Sequence, residues 1–243
     1  MRYLMTFAYD GSNYSGYQKQ TNVRTIQDEI ESKLKKINNN YDVNIHSSGR
    51  TDALVHAINQ KAHFDLSINI TTDNLKRALN SLVSSDIYIK NIVEVNEEFH
   101  ARFDVVAKEY IYKINVGNYD PFLRKYNFQY NKLLDVEKMK LGIKLFEGTH
   151  NFKSFTKTNN IINDYVRTII DTEIKLDNKI ITIYFKGTGF LRYMVRNMVG
   201  LLIEIGENKR NIGELVNILE SENRSLAGKT APPEGLYLKD VYY

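Results

Sequence analysis

The residues with the clearest chemical potential lie in a polar run at positions 48–57, which contains Arg50, Asp52 and His56. The run offers one carboxylate, with a guanidinium two residues before it and an imidazole four residues after it. Apolar segments flank the run, so we expect a loop held by rigid elements, where catalytic groups are often placed. Asp52 is therefore a candidate catalytic carboxylate. On spacing alone, a hairpin turn in which Asp52 caps backbone N–H groups is the favoured interpretation.

A second candidate is the tyrosine pair at Tyr110 and Tyr112. In a strand the two side chains point to the same face. Such pairs usually pack in a core, but an aromatic face can also stack on a nucleic acid base. Both interpretations stay open at this point.

A third candidate is the arginine pair Arg192 and Arg196, one turn apart in a predicted helix at residues 190–205. Arginines on a helix flank usually face solvent. These two border an apolar stripe, which favours an ion pair or a phosphate contact. The preceding glycines, Gly187 and Gly189, lack a P-loop lysine and the dinucleotide-binding spacing, so no nucleotide cofactor is predicted.

Composition narrows the function classes. The chain has 243 residues and no cysteine, which excludes disulfides, thiolate zinc sites and cysteine nucleophiles and fits a reducing cytoplasm. The five histidines show no metal-binding pattern, so no metal is expected. No signal peptide or membrane span is predicted. Residues 105–243 carry 21 Lys and Arg against 16 Asp and Glu, whereas residues 1–104 carry 12 against 13. The basic excess of the second half is compatible with a polyanionic partner.

Hydrophobic periodicity predicts an α+β fold in two similar halves, residues 1–104 and 105–243, with mostly antiparallel sheets and helices on one face. Asp177 and Asn178 read as a hairpin turn. The predicted strands are 2–9, 41–46, 60–64, 87–95, 109–116, 165–176, 179–185 and 236–242. The predicted helices are 25–37, 72–82, 135–146, 190–205 and 211–220.

Motifs along nearly the whole chain resemble the TruA family of tRNA pseudouridine synthases, which act on the anticodon stem-loop. Any one of them would be weak, but their number and order make the match specific. They lie at residues 9–12, 16–20, 24–27, 49–53, 99–103, 110–112, 146–152, 189–191, 194–197, 231–233 and 235–238.

The resemblance implies two α/β halves, similar to RRM or ferredoxin-like folds, around a cleft. It implies a cytoplasmic homodimer that uses no cofactor or metal and modifies tRNA positions 38–40. Asp52 matches the family's catalytic aspartate, Tyr110 the tyrosine that packs on the target base, and Arg196 the arginine that pairs with the aspartate. The further residues assigned to substrate binding are Arg50, which helps displace the base, and Thr51, His56, Arg24, Lys108, Arg192 and Leu236.

The implied chemistry suits these residue types. Pseudouridine formation breaks the C1′–N1 bond, turns the uracil and joins C1′ to C5, without a redox step or net water. One ionised carboxylate can act as nucleophile or base, and an adjacent arginine keeps it ionised. The base must leave its stack, which costs a few kcal/mol.

Two departures from the family pattern border the loop: Leu54 replaces a usual glycine and Lys108 a usual arginine. We expect Leu54 to adopt a negative φ in a redrawn turn. Three other functions remain open: the same reaction on another structured RNA such as ribosomal RNA, RNA binding without catalysis, and a small-molecule glycosidase. The last usually needs two carboxylates, and no second one stands out near Asp52.

Overall fold

A computed structural model describes residues 1–157 and 164–243. The chain forms two compact units: unit 1 comprises Met1–Val106 with Tyr237–Tyr243, and unit 2 comprises Ala107–Leu236. The predicted division after residue 104 places the last strand in the second half, whereas the structure places it in unit 1. Among the described residues, no helix has the length and hydropathy needed to cross a membrane.

Unit 1 contains a mostly antiparallel sheet. Strand β1 (Arg2–Tyr9) pairs antiparallel with β3 (His56–Asp65) on one side and with β4 (Ile87–Val95) on the other. The short β2 (His46–Ser47) also pairs with β3. The last strand, β10, runs parallel to β3, with Tyr237 opposite His56. Alternation along β1 buries Tyr3, Met5 and Phe7 on one face, as its sequence predicts. The strands are β1 Arg2–Tyr9, β2 His46–Ser47, β3 His56–Asp65, β4 Ile87–Val95 and β10 Leu236–Tyr242.

Two helices of unit 1, α1 Ile26–Ile37 and α2 Thr72–Leu82, start where the sequence predicts. The hydroxyl of Thr25 accepts a hydrogen bond from the Asp28 N–H at 3.4 Å and so caps α1. Such a cap contributes about 1 kcal/mol. Each helix buries leucine or isoleucine side chains at helical spacing, which anchors it to the core.

Unit 2 repeats the antiparallel pattern, with the strand order β5-β9-β8-β7 and with β6 parallel to β5. The predicted α+β class with mostly antiparallel strands is therefore confirmed. The strands are β5 Ala107–Asn115, β6 Phe128–Gln129, β7 Gly148–Asn151, β8 Val166–Asp177 and β9 Ile180–Gly187, and the helices are α3 Val136–Lys144, α4 Met194–Gly206 and α5 Glu214–Glu220.

The strand predicted at residues 41–46 is largely wrong, because only His46 and Ser47 pair as β2. Val43 and Ile45 are buried in alternation, as in a strand. The Ile45 N–H donates instead to the Glu31 carboxylate of α1, at 3.0 Å. Alternating burial thus arises here from an extended chain that bonds to a helix side chain.

The helix predicted at residues 190–205 begins four residues later, at Met194, because Tyr193 adopts a left-handed conformation (φ +64°). Arg192 therefore lies outside α4, and its predicted one-turn spacing from Arg196 is wrong. The helix predicted at 211–220 likewise begins at Glu214. The β8–β9 hairpin turns at Asn178 and Lys179, both with positive φ, one residue later than predicted.

Candidate active site

The loop that carries Asp52 is fastened to strand β3 by Gln60, which is fully buried. The Ser48 hydroxyl donates to Gln60 Oε1 at 2.7 Å, and Gln60 Nε2 donates to the Gly49 carbonyl at 3.0 Å. A buried polar group left without a partner would cost about 1–3 kcal/mol. Gln60 therefore fixes the backbone just before Asp52. Sequence reasoning missed Gln60, because a single polar residue inside a strand pattern carries no functional signal.

Thr51, the residue before Asp52, anchors the loop through its hydroxyl and its carbonyl. Its hydroxyl lies 2.7 Å from the Tyr9 hydroxyl, and its carbonyl accepts the Tyr17 N–H at 3.1 Å. Burial raises the pKa of Tyr9 to about 12, so the phenol keeps its proton. A Cβ on Gly16 (φ +101°) would lie 3.1 Å from the Thr51 carbonyl oxygen, so only glycine lets the two backbones pack this closely. Asp52 itself is half-buried between these anchors.

The expected negative φ of Leu54 is wrong: the residue is left-handed, at φ +66°. The Val55 N–H closes this turn onto the Asp52 carbonyl at 3.3 Å. A Cβ on Gly11 would lie 2.1 Å from the Val55 carbonyl oxygen, so the backbone that follows this turn packs directly against Gly11. Leucine in this region costs about 1–2 kcal/mol. The Leu54 side chain is 42% exposed.

His56 closes the loop from inside unit 1 and is 2% exposed. Its Nδ1 accepts the Gly11 N–H at 3.1 Å and lies 3.2 Å from Asp10 Oδ1. Its ring stacks on Tyr237 at 4.7 Å between centroids. These contacts make the imidazole a support of the loop. A substrate contact of His56 stays a prediction, and the burial of the His56 side chain does not favour it.

Two further predicted binding residues of unit 1 differ in accessibility. Arg50 is exposed beside Asp52. Arg24 makes ion pairs with Glu29 at 2.9 Å and Asp86 at 3.2 Å, and its guanidinium lies 4.3 Å from the centre of the Tyr14 ring. Two carboxylates thus offset the charge of Arg24, which leaves Arg50 as the arginine better placed for a phosphate or a base.

In unit 2, Arg196 occupies the first turn of α4 and is half-buried. Its Nε donates to the Ala231 carbonyl at 2.7 Å, and the Ala231 N–H donates back to the Arg196 carbonyl at 3.0 Å. Burial raises the pKa of Glu234, while the positive charge of Arg196 acts to lower it. The Glu234 carboxylate therefore interacts with Arg196. Glu234 lies between the motifs at residues 231–233 and 235–238, and sequence reasoning did not assign it a role.

Tyr193 is a further residue that sequence reasoning missed. Its ring lies 4.8 Å from the Arg192 guanidinium and 5.3 Å from that of Arg196. Arg192 Nη2 also donates to the Tyr193 hydroxyl at 3.0 Å, and the Thr156 hydroxyl donates to the Arg192 carbonyl at 2.9 Å. Arg192 is exposed. The sequence could have indicated this role of Tyr193 only if its left-handed backbone had been predicted.

The tyrosine pair of β5 is buried in unit 2. Tyr110 is 9% exposed and packs edge-to-face on Phe190 at 5.0 Å, whereas Tyr112 is fully buried and donates its hydroxyl to the Pro232 carbonyl at 2.7 Å. Lys108, on the same strand, is half-buried. Leu236, at the start of β10, is 7% exposed. Stacking of Tyr110 on a base, and substrate contacts of Lys108 and Leu236, stay predictions.

The two units thus bring together different parts of the predicted set. Unit 1 places Arg50, Thr51 and Asp52 in one anchored loop. Unit 2 places Arg192 and Arg196 around Tyr193. Among the described residues, no group of three His, Cys, Asp or Glu has a geometry that would hold a metal ion.

Comparison with known proteins agrees with the motifs. The tRNA pseudouridine synthase family matches residues 5–104 and 143–243. A tRNA pseudouridine synthase A from Geobacillus sp. is 42% identical over 243 residues, covering 100% of this chain and 98% of that protein. One from Streptococcus agalactiae is 41% identical over 245 residues, covering 100% and 95%. A solved Cbf5-Nop10-Gar1 complex aligns at 12% identity and a TM-score of 0.35, covering 82% of this chain and 54% of that chain. The chain belongs to the tRNA pseudouridine synthase family.

Proposed function

We propose that this protein isomerises uridine to pseudouridine at positions 38–40 of the tRNA anticodon stem-loop, and that Asp52 is its catalytic carboxylate. The observation that carries the proposal is the family's aspartate on a loop whose backbone is fixed by Gln60 and Tyr9. A preorganised carboxylate suits a reaction that depends on the placement of one nucleophile or base.

The other roles follow the family's motifs. Arg196 pairs with Asp52 and keeps it ionised, Tyr110 packs on the turned uracil, and Arg50 helps to displace the base from its stack. The exposure of Arg50 and the two hydrogen bonds between Arg196 and Ala231 support these assignments. The carboxylate of Asp52 acts on C1′ or on a proton while the C1′–N1 bond breaks and the C1′–C5 bond forms. C5 loses its proton and N1 gains one, so the isomerisation balances without a cofactor.

The substrate is bound, in this proposal, mainly by residues 105–243, where Lys and Arg outnumber Asp and Glu by 21 to 16. This half completes the site as the second domain, and the enzyme acts as a cytoplasmic homodimer. Affinity for tRNA should then fall steeply with salt, because neutralised phosphates release counterions.

The test uses tRNA transcripts with uridine at positions 38, 39 and 40, a ribosomal RNA fragment, and carbodiimide mapping of pseudouridine. We expect modification of the tRNA positions by the wild-type protein and none by Asp52→Asn. Modification of the ribosomal fragment alone would move the same chemistry to another RNA. Tight tRNA binding without any pseudouridine would indicate an RNA-binding protein instead.

A further inference from the structure

The start of helix α4 has a conformation that its sequence does not favour. Tyr193 is left-handed (φ +64°, ψ 0°), and its side chain does not cap the helix. A tyrosine adopts this region only where its surroundings enforce it, and such residues concentrate at functional sites. Leu191 and Met194 on either side are buried, so the segment is held at both ends.

The ring of Tyr193 lies close to two cations. The guanidinium carbons of Arg192 and Arg196 lie 4.8 Å and 5.3 Å from its centroid, within the range of a cation–π interaction. Tyr193 is only half-buried, so packing in the core is not what holds the ring there. A right-handed Tyr193 would continue α4 and send the side chain in another direction.

The Arg196 guanidinium also makes a hydrogen bond to the backbone. Its Nε donates to the Ala231 carbonyl at 2.7 Å, while Tyr193 lies beside the guanidinium. Together these contacts determine the direction in which the two Nη groups point. A guanidinium held in this way binds a carboxylate with less loss of side-chain freedom than a mobile one.

We propose that Tyr193 is a positioning residue, which acts through its ring to orient the Arg196 guanidinium for the catalytic carboxylate. The inference rests on the proposed function, because it gives Tyr193 a role only through Arg196. The hydroxyl bonds to Arg192 and is secondary, whereas the ring face is essential.

The test compares Tyr193→Phe with Tyr193→Gly. Glycine relieves the left-handed backbone and removes the ring, so the urea midpoint should stay or rise while single-turnover kcat falls about 10- to 100-fold. KM should change less than about threefold, and the acid limb of the pH–rate profile should move to higher pH. Tyr193→Phe should retain kcat within about threefold, since the ring remains. Lys179→Gly is the matched control, because Lys179 is left-handed, exposed and in the same unit.

A readout without activity separates this inference from the proposed function. The Nε–Hε group of Arg196, observed by NMR, should be ordered in the wild-type protein and in Tyr193→Phe and should become mobile in Tyr193→Gly. If the wild-type protein forms no pseudouridine yet Arg196 loses order in this way, the proposed function fails and the positioning role stands. Unchanged order of Arg196, a Tyr193→Gly variant with wild-type kcat, or equal damage by phenylalanine and glycine would overturn the inference.

Discussion

The proposed catalytic pair consists of Asp52 on a loop of unit 1 and Arg196 in the first turn of α4 in unit 2, and near each of them lies one non-glycine residue with a left-handed backbone. Leu54 (φ +66°) follows Asp52 by two residues in unit 1, and Tyr193 (φ +64°) precedes Arg196 by three in unit 2. The cause of the strain differs. At Leu54 the backbone of the next residue, Val55, packs closely against Gly11, and the Leu54 side chain is 42% exposed. At Tyr193 the side chain itself lies within cation–π distance of two guanidinium groups.

The same left-handed conformation therefore has a different role at the two positions. At Leu54 the turn is what the site needs, and glycine would form it at lower cost. At Tyr193 the side chain makes the contacts, so glycine would form the turn and lose them. Substitutions that remove the strain should therefore be harmless at one position and harmful at the other.

The largest expected effect concerns Arg196. Arg196→Met should lower single-turnover pseudouridine formation about 10²- to 10³-fold, about 3–4 kcal/mol in barrier, because the proposed function makes Arg196 the cation that keeps the catalytic carboxylate ionised. The exposed Arg77→Met lies outside the half proposed to bind most of the RNA; it is the control and should retain its rate. A loss below about tenfold for Arg196→Met would leave the strained start of α4 without a catalytic purpose.

The next effect is a pH dependence of the free energy of unfolding. We expect it to arise in unit 1, which contains four of the five histidines, including His63. Burial, with the charges of His46, His100 and Arg2, lowers the pKa of His63 from 6.5 to about 4. The unfolded chain therefore binds the extra proton between these values, so stability is complete above pH 6.5 and falls as the pH drops toward 4. The loss is at most about 3 kcal/mol.

Urea denaturation across this pH range measures the slope. His63→Asn keeps a hydrogen-bond acceptor for the Ala101 N–H and does not titrate, so its slope should be flatter. His150→Asn changes a histidine of unit 2 and should retain the wild-type slope. Equal slopes for all three proteins would show that His63 does not control the acid stability of unit 1.

Gln60 tests how strongly the Asp52 loop depends on its anchor. Gln60→Glu keeps the acceptor for the Ser48 hydroxyl but faces the Gly49 carbonyl with an oxygen in place of an N–H. The free energy of unfolding should fall by about 2 kcal/mol, with a lower kcat, because a buried hydrogen bond is lost. Gln18→Glu makes the same chemical change at an exposed position and should be near neutral. An unchanged kcat for Gln60→Glu would show that the anchor does not position Asp52.

The smallest expected effect is at Leu54. Leu54→Gly should raise the free energy of unfolding by about 0.5–1 kcal/mol, since glycine tolerates positive φ. Its neighbour Ala53 is exposed and is not left-handed, so Ala53→Gly should lower the same quantity by a similar amount. Denaturant titration of both variants gives the sign. Destabilisation by Leu54→Gly would mean that the leucine side chain contributes contacts that outweigh the backbone strain.

The sequence predicted most of the regular elements and the family motifs, because periodicity and caps such as Thr25 are local properties. It did not predict the start of α4 or the φ of Leu54. Both depend on contacts with distant residues: Gly11 with Val55, and Thr156 and Ala231 with the segment around Arg196. Nor could it distinguish exposed Arg50 from paired Arg24, since ion pairing depends on the fold.

The most direct test of the account is single-turnover pseudouridine formation by Asp52→Asn on a tRNA transcript with uridine at positions 38–40. The exposed Asp73→Asn is the matched control, and urea midpoints and tRNA affinity are measured beside the rate. The account predicts folding and binding near wild type for both variants, a wild-type rate for Asp73→Asn, and no detectable product for Asp52→Asn. A rate for Asp52→Asn within about tenfold of wild type, or about 1.4 kcal/mol in barrier, would contradict the assignment of Asp52.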